Sequence, residues 1–262
     1  MRHDLIDRLQ SYMRETAREQ YDVERVPPFT AFFHPQDLLT YLNYAIPDAP
    51  IGGDLRRELA ALRAAYHARR RRPRLEFIEE YAPNLAASLR AAGLAEESRQ
   101  PLMVCAPERL RAAPDVPGLT IVMLTAMSPP EAIKEHLATN ELGFNPKASG
   151  AFSDEDAERF RRGLLLGRSF TAYLDELPAG AGMFNPPRDG LCELVGIATL
   201  EPFRRRGVAA ALTARMAREA FALGVEAAFL TAADEGASRV YERAGFVRAA
   251  TMLSYIEPLG AL

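Results

Sequence analysis

Between Leu119 and Ile256 the sequence alternates strand-like and helix-like periodicity in the order β-α-α-β-β-β-α-β-α-β. Such a chain buries its apolar faces by layering helices on a mixed sheet, so the fold class is α/β in the α+β sense. Leu119–Thr125 (LTIVMLT) opens the series as a strand, and Ser128 with Pro129 makes a helix start for PPEAIKEHLATNELG. Ser153 and Asp156 form a capping box with a shortened acid, starting a helix expected to run through Arg162 to Leu166. Arg168–Leu174 and the segment AGAGMFNPPRDG read as a hairpin region, followed by a strand at Leu191–Leu200. Val208, Leu212, Met216, Ala220 and Leu223 recur at steps of three and four, the mark of a helix with one apolar face. A strand at Ala227–Thr231, a helix at Ala237–Ala244 and a strand at Thr251–Ile256 complete the order.

Upstream, Pro107, Pro114 and Pro117 fall in a short polar stretch that reads as a linker. A cut near residue 112 leaves an N-terminal α/β part, 1–112, and a C-terminal domain, 113–262, of common size. In the first part helices are expected at 4–20, Leu55–Arg71 and Pro83–Ala92, with strands at Leu75–Ile78 and near Leu102–Cys105. Laying 75–94 on 227–246 without a gap pairs Phe77 with Phe229, Ile78 with Leu230 and Gly93 with Gly245, which reads as an internal repeat. Two unrelated strand-helix-turn units sharing an Ala-Gly turn give the same match. The first part is then either a degenerate copy of the second or an unrelated α-rich regulatory module.

Charge narrows the partners. Thirty-two basic against 35 acidic residues give a net charge of -3, which argues against a broad nucleic-acid surface. The run RRRRPR at 69–74 reads instead as a solvated helix end. No apolar run approaches the roughly 20 residues of a membrane span, and acids from the fourth residue onward do not suit an export signal. A cytoplasmic location without membrane attachment is therefore expected. Cys105 and Cys192 are too few for a disulfide framework or a cysteine zinc site and read as buried strand residues; no metal is expected.

The segment most informative about chemistry is Gly196–Met216, GIATLEPFRRRGVAAALTARM: a strand, a loop rich in arginine and glycine, then a helix start. Free first-turn amides and the positive end of the helix dipole suit a phosphate or pyrophosphate, and Arg204, Arg205 and Arg206 add charge there. The same residues also read as a solvated loop capping an ordinary helix. Neither GxxxxGK[ST] nor GxGxxG stands between strand and helix, which disfavours a P-loop or a Rossmann dinucleotide site.

Arg204, Gly207 and Ala209 fit the pattern [QR]-x-x-G-x-[GA], and about 25 residues later ADEGASRVYERAGF fits N-x-x-A-x-x-[LV]-Y-x-x-x-G-F with Asp234 in place of the leading Asn. The two signatures in this order of elements resemble the GNAT N-acetyltransferase superfamily over Leu119–Pro258. The resemblance implies a mixed, mostly antiparallel central sheet flanked by helices, and acetyl-CoA as co-substrate of an acyltransferase. It implies that backbone groups of Ile197, Ala198 and Thr199 hold the pantetheine arm and acetyl carbonyl. The amides of Arg205, Arg206, Gly207, Val208, Ala209 and Ala210 would hold the pyrophosphate, with the Arg205 and Arg206 side chains reaching the phosphates. Arg204 opens the motif, Tyr241 matches a tyrosine that protonates the departing thiolate, and Asp234 stands where the family contacts CoA through Asn.

The acceptor implied is a small-molecule or peptide amine, and the chain is expected as a monomer or homodimer. An amine with pKa about 10.4 is almost wholly protonated at neutral pH, so a general base is needed. Glu193, read as sharing an alternating face with Val195 and Ile197, is the first candidate and Glu201 the second. His3, His34, His67 and His136 lie outside the matched motifs and read as surface or packing residues. If the repeat is real, Leu55 falls at the place of Gly207 and Leu89 at that of Tyr241, so the first part lacks the anion loop and the acid. A non-catalytic CoA-binding regulator is the alternative to an enzyme.

Overall fold

The computed structural model describes residues 2–164 and 168–259; Leu166, expected in a helix, and the His3 side chain lie outside what is described. The chain folds as two units, one holding residues up to Leu102 together with those from Ala249 onward, the other running from Met103 to Arg248. The cut expected near residue 112 therefore differs from this division, and most of the last strand belongs to the first unit.

The first unit contains α1 (Arg2–Gln20), β1 (Asp22–Val26), β2 (Phe29–Phe33), β3 (Asn43–Pro47), α2 (Arg56–Ala68), β4 (Arg74–Ile78), α3 (Leu85–Ala91) and most of β5 (Ala95–Cys105). β1, β2 and β3 form an antiparallel meander, and β3 meets β4 in parallel at Ala45 and Leu75. The final strand, Val247–Ile256, pairs antiparallel with β4, Leu253 opposite Phe77 and Tyr255 opposite Leu75. The strands between Asp22 and Pro47 escape sequence periodicity for identifiable reasons. DVERV is largely exposed, FTAFF is buried at every residue and so does not alternate, and NYAIP ends in proline. Their presence removes the α-rich reading of this part.

The second unit runs through β6 (Leu119–Leu124), α4 (Pro130–Phe144), α5 (Asp154–Gly163), β7 (Arg168–Leu174), β8 (Leu177–Phe184), β9 (Leu191–Thr199), α6 (Val208–Ala222), β10 (Ala227–Thr231) and α7 (Glu235–Ala244), followed by the start of β11, the Val247–Ile256 strand. Strands β6 to β9 pair antiparallel in sequence order, while β9 and β10 are parallel. The expected capping box is formed: Ser153 Oγ accepts from the Asp156 amide at 3.2 Å, and Asp156 Oδ2 accepts from the Ser153 amide at 2.9 Å. On α6 the residues Val208, Leu212, Met216 and Ala220 are buried with Phe170 and Phe184 of the sheet, each large side chain contributing about 1.5–3 kcal/mol. Leu223, expected to extend that stripe, is instead 45% exposed just past the helix end.

Element boundaries repeat along the chain. β3 ends at residue 47 and β9 at 199, α2 starts at 56 and α6 at 208, and β5 starts at 95 and β11 at 247, a spacing of 152 in each case. A constant spacing over three boundaries favours a repeat over a chance match of two turns. Among the described residues no helix is long and apolar enough to cross a membrane, and no cluster of three or more His, Cys, Asp or Glu is placed to hold a metal.

His136 proves to be a packing residue of α4. It is fully buried, shares a hydrogen bond of 3.1 Å between Nδ1 and Thr171 Oγ1, and packs its ring against Phe160. Burial pushes the imidazole down to about 4 from 6.5, so it is neutral in the fold. A depressed pKa on a base means that stability is full above pH about 6.5 and lost as pH falls towards 4, where the unfolded chain binds the extra proton. The full loss is about 3 kcal/mol. His136→Gln is expected to flatten that part of the acid-unfolding profile; a variant with the wild-type slope between pH 6.5 and 4 would show that other groups carry it.

Candidate functional site

The parallel pairing of β9 with β10 covers only Leu191, Cys192 and Glu193, opposite Ala227, Ala228 and Phe229. Beyond Glu193 the two strands part, leaving the β10-side backbone groups of the last β9 residues, Ile197, Ala198 and Thr199 among them, outside this ladder. On its other edge β9 pairs with β8, and there the register shifts: Val195 faces Met183 and Ala198 faces Ala181, so two β9 residues stand against Gly182. Gly196 sits in this bulge with φ 63°, and Asn140 of α4 donates Nδ2 to its carbonyl at 2.6 Å.

The bulge corrects one sequence expectation. Met183 and Ala181 share a face of β8, so their partners Val195 and Ala198 share a face of β9, and Ile197, next to Ala198, lies on the other. Glu193 shares the face of Val195 but not that of Ile197, which packs against the cluster containing α6. The half-buried Glu193 side chain, at the last paired position before the strands part, accepts from Asn185 Nδ2 at 3.0 Å. Glu201, the second candidate base, opens a 3-10 turn and is exposed.

From Thr199 the chain turns through Glu201–Phe203 and the three arginines into α6. Gly207 is the N-cap with φ 87°, and no side chain caps the helix, so its first amides are available to an anion. A Cβ at Gly207 would lie 2.9 Å from Val116 Cγ2 and 3.7 Å from Pro114 Cγ, so the missing side chain makes room for the segment before β6. The arginines have three different settings. Arg204 turns back, donating Nε to Thr199 O and a terminal nitrogen to Gly143 O, both at 3.1 Å, which satisfies a late carbonyl of α4. Arg206 lies over the Phe203 ring at 5.8 Å and 3.8 Å from Asp175 Oδ2 in the β7–β8 turn. Arg205 is exposed, with φ 61° and no ion pair among the described residues. Only two of the three are thus positioned to reach a ligand. Val208 and Ala210 are buried and Ala209 half-buried in the first turn.

Asp234 caps α7, its Oδ1 accepting from the Ala237 amide at 2.8 Å. About two turns later Tyr241 is 8% exposed, packed in the same apolar cluster as Val208 and Leu212, with its ring 6.4 Å from that of Phe246. Burial first, and the Asp234 carboxylate second, push the phenol up to about 12.

Asn140, Asp175 and the Pro114–Val116 segment were outside the sequence motifs; only the glycine in GIATL, an unusual residue inside a strand, hinted at the bulge that Asn140 holds. Asn140→Leu, which leaves the Gly196 carbonyl without that donor, is expected to cost about 1–3 kcal/mol in denaturant unfolding. A loss below about 0.5 kcal/mol would mean the bulge keeps its shape unaided.

Within the second unit, residues 133–246 match the Acetyltransferase (GNAT) family. Over 98% of its length the chain is similar to a GCN5-related N-acetyltransferase from Kribbella flavida, at 25% identity and a TM-score of 0.80, covering 97% of that chain. It also shares its fold with a tandem GNAT protein from the clavulanic acid biosynthesis pathway, at 14% identity and a TM-score of 0.61, over 87% of this chain and 77% of that one. A functionally unknown conserved protein from Staphylococcus epidermidis has the same fold at 16% identity and a TM-score of 0.61, over 90% and 93% of the two chains. No curated protein sequence matches the chain.

Proposed function

We propose that this protein is an acetyl-CoA-dependent N-acyltransferase that moves an acetyl group directly to an amine within a ternary complex. The observation that carries the reading is the departure of β9 from β10 after Glu193, which opens an unpaired strand edge that ends at the uncapped start of α6. The edge formed by Ile197, Ala198 and Thr199 suits the amide-bearing pantetheine arm, which can add to it as a strand would. The amides from Arg205 to Ala210, with the Arg205 and Arg206 side chains, suit the pyrophosphate; Arg206 would exchange Asp175 for a phosphate oxygen. Arg204 acts here by fixing the loop to α4 and the end of β9, and Asp234 by starting α7.

Bound acetyl-CoA supplies the electrophilic thioester carbonyl. Glu193 accepts the proton of the attacking amine, directly or through water, the C–N bond forms as the C–S bond breaks, and Tyr241 gives its proton to the sulfur. A phenol near 12 stays protonated at neutral pH and so has the proton to give; because the thiol formed, of reference pKa about 8.5, is the stronger acid, the transfer is uphill and is drawn forward by reprotonation of the phenolate from water. An acyl-cysteine intermediate is disfavoured: Cys105 and Cys192 are buried, and burial pushes the first thiol up to about 11 and the second further. The first unit is read as a degenerate copy without the chemistry, since Leu55 stands at its helix start and buried Leu89 at the tyrosine position. The acceptor is proposed to be a small-molecule or peptide amine, not a nucleic acid.

Calorimetry with acetyl-CoA, followed by thiol release across a panel of amines, tests the proposal. Binding with amine-dependent release supports the transferase. Binding without turnover on any amine makes the protein a CoA-binding regulator, and absence of binding removes both readings.

A further inference from the structure

At the C-terminal end of α7 the second unit has an open cavity of about 810 Å3, lined by five arginines, Arg109, Arg111, Arg239, Arg243 and Arg248. Its size lies within the range of small-ligand sites. The cavity is built by the segment that follows β5. There the Arg111 amide donates to Ala244 O at 3.1 Å, and the Arg109 carbonyl lies so close to Gly245 that any Cβ would collide with it. The chain therefore wraps the helix end and holds its own two arginines beside two from the helix.

Arg239 and Arg243 stand four residues apart on the exposed face of α7, where like charges weaken a helix. The helix dipole favours Arg243 in the last turn but gives Arg239, in mid-helix, no such benefit. Neither they nor the Arg111 guanidinium make an ion pair among the described residues. Glu108 and Glu242 also line the cavity, leaving three positive charges in excess on a chain whose net charge is -3. Guanidinium groups held together in this way match phosphates through paired hydrogen bonds. The two carboxylates are acceptors suited to hydroxyl groups. Phe246, the one aromatic residue of the lining, is only 1% exposed and offers no ring face to a base. The geometry points to a second binding site in the C-terminal unit, for a small polyol carrying several phosphates, and we propose it as such, independently of the acetyl-transfer reading.

Calorimetry of the full chain with inositol hexakisphosphate as probe, with and without saturating acetyl-CoA, tests the site. Expected are saturable binding that acetyl-CoA leaves unchanged, and a weakening of roughly tenfold or more in the double variant Arg239→Gln, Arg243→Gln at an unaltered melting temperature. Should that variant fold poorly, Arg111→Gln, outside any helix, is expected to weaken binding in the same direction. The proposal is overturned by absence of saturable binding up to about 1 mM, by equal affinity in the variants, or by displacement with acetyl-CoA, which would put the probe at the α6 loop. A hexaglutamate peptide that binds as tightly as the probe would also overturn it, by reducing the site to a general polyanion patch.

Discussion

Gly207→Val is expected to abolish measurable acetyl-CoA affinity and to lower stability, because two separate demands meet at that position. The residue has φ 87°, a conformation that costs a β-branched side chain roughly 1–3 kcal/mol. Its Cβ would also press on Val116 Cγ2 at 2.9 Å, so either the 114–116 segment or the first turn of α6 must shift. Since the amides proposed to hold the pyrophosphate belong to that turn, a small displacement removes several hydrogen bonds to charged oxygens, each about 1.5–3 kcal/mol. The expected loss of affinity is at least about a hundredfold. Gly207→Ala separates the causes: combined with Val116→Ala, which relieves the contact, it should recover part of the affinity while the backbone strain remains. Calorimetry that finds Gly207→Val binding acetyl-CoA as the wild type does would sink the assignment of this loop.

Tyr241→Phe is expected to lower kcat by about a hundredfold or more, the usual worth of a positioned acid, while the Kd for acetyl-CoA changes less than about twofold. The ring stays packed, so stability should change by less than about 1 kcal/mol. Because burial and Asp234 push the phenol up to about 12, the group remains protonated across the usual assay range. Wild-type kcat should therefore show no fall near pH 10, the ordinary phenol value. Equal losses in kcat and in affinity would make the tyrosine a structural residue.

How much of this could be read from the amino acids varies by element. The helices and strands of the second unit followed from periodicity, and Ser153 with Asp156 announced its own cap, because these signals are local. The glycine-led start of α6 was legible for the same reason. β1, β2 and β3 were not, since a strand buried on both faces carries no alternation and an exposed one carries little apolar residue to count. The face of Glu193 was misjudged relative to Ile197 because one bulge at Gly196 inverts every side chain after it, and a bulge is set by the partner strand. The arginines looked alike in the sequence; only the carbonyls of Thr199 and Gly143, brought close by folding, distinguish Arg204 from its neighbours.

Among the described strands, the one that closes the β4 edge of the first unit, β11, comes latest in the sequence. During translation that unit waits with an unpaired edge until about 150 further residues have emerged, long enough for the second unit to fold first. Of the two units the first is thus the one completed last, and a chain interrupted after Arg248 would carry a bare strand edge on the unit that precedes the other in the sequence.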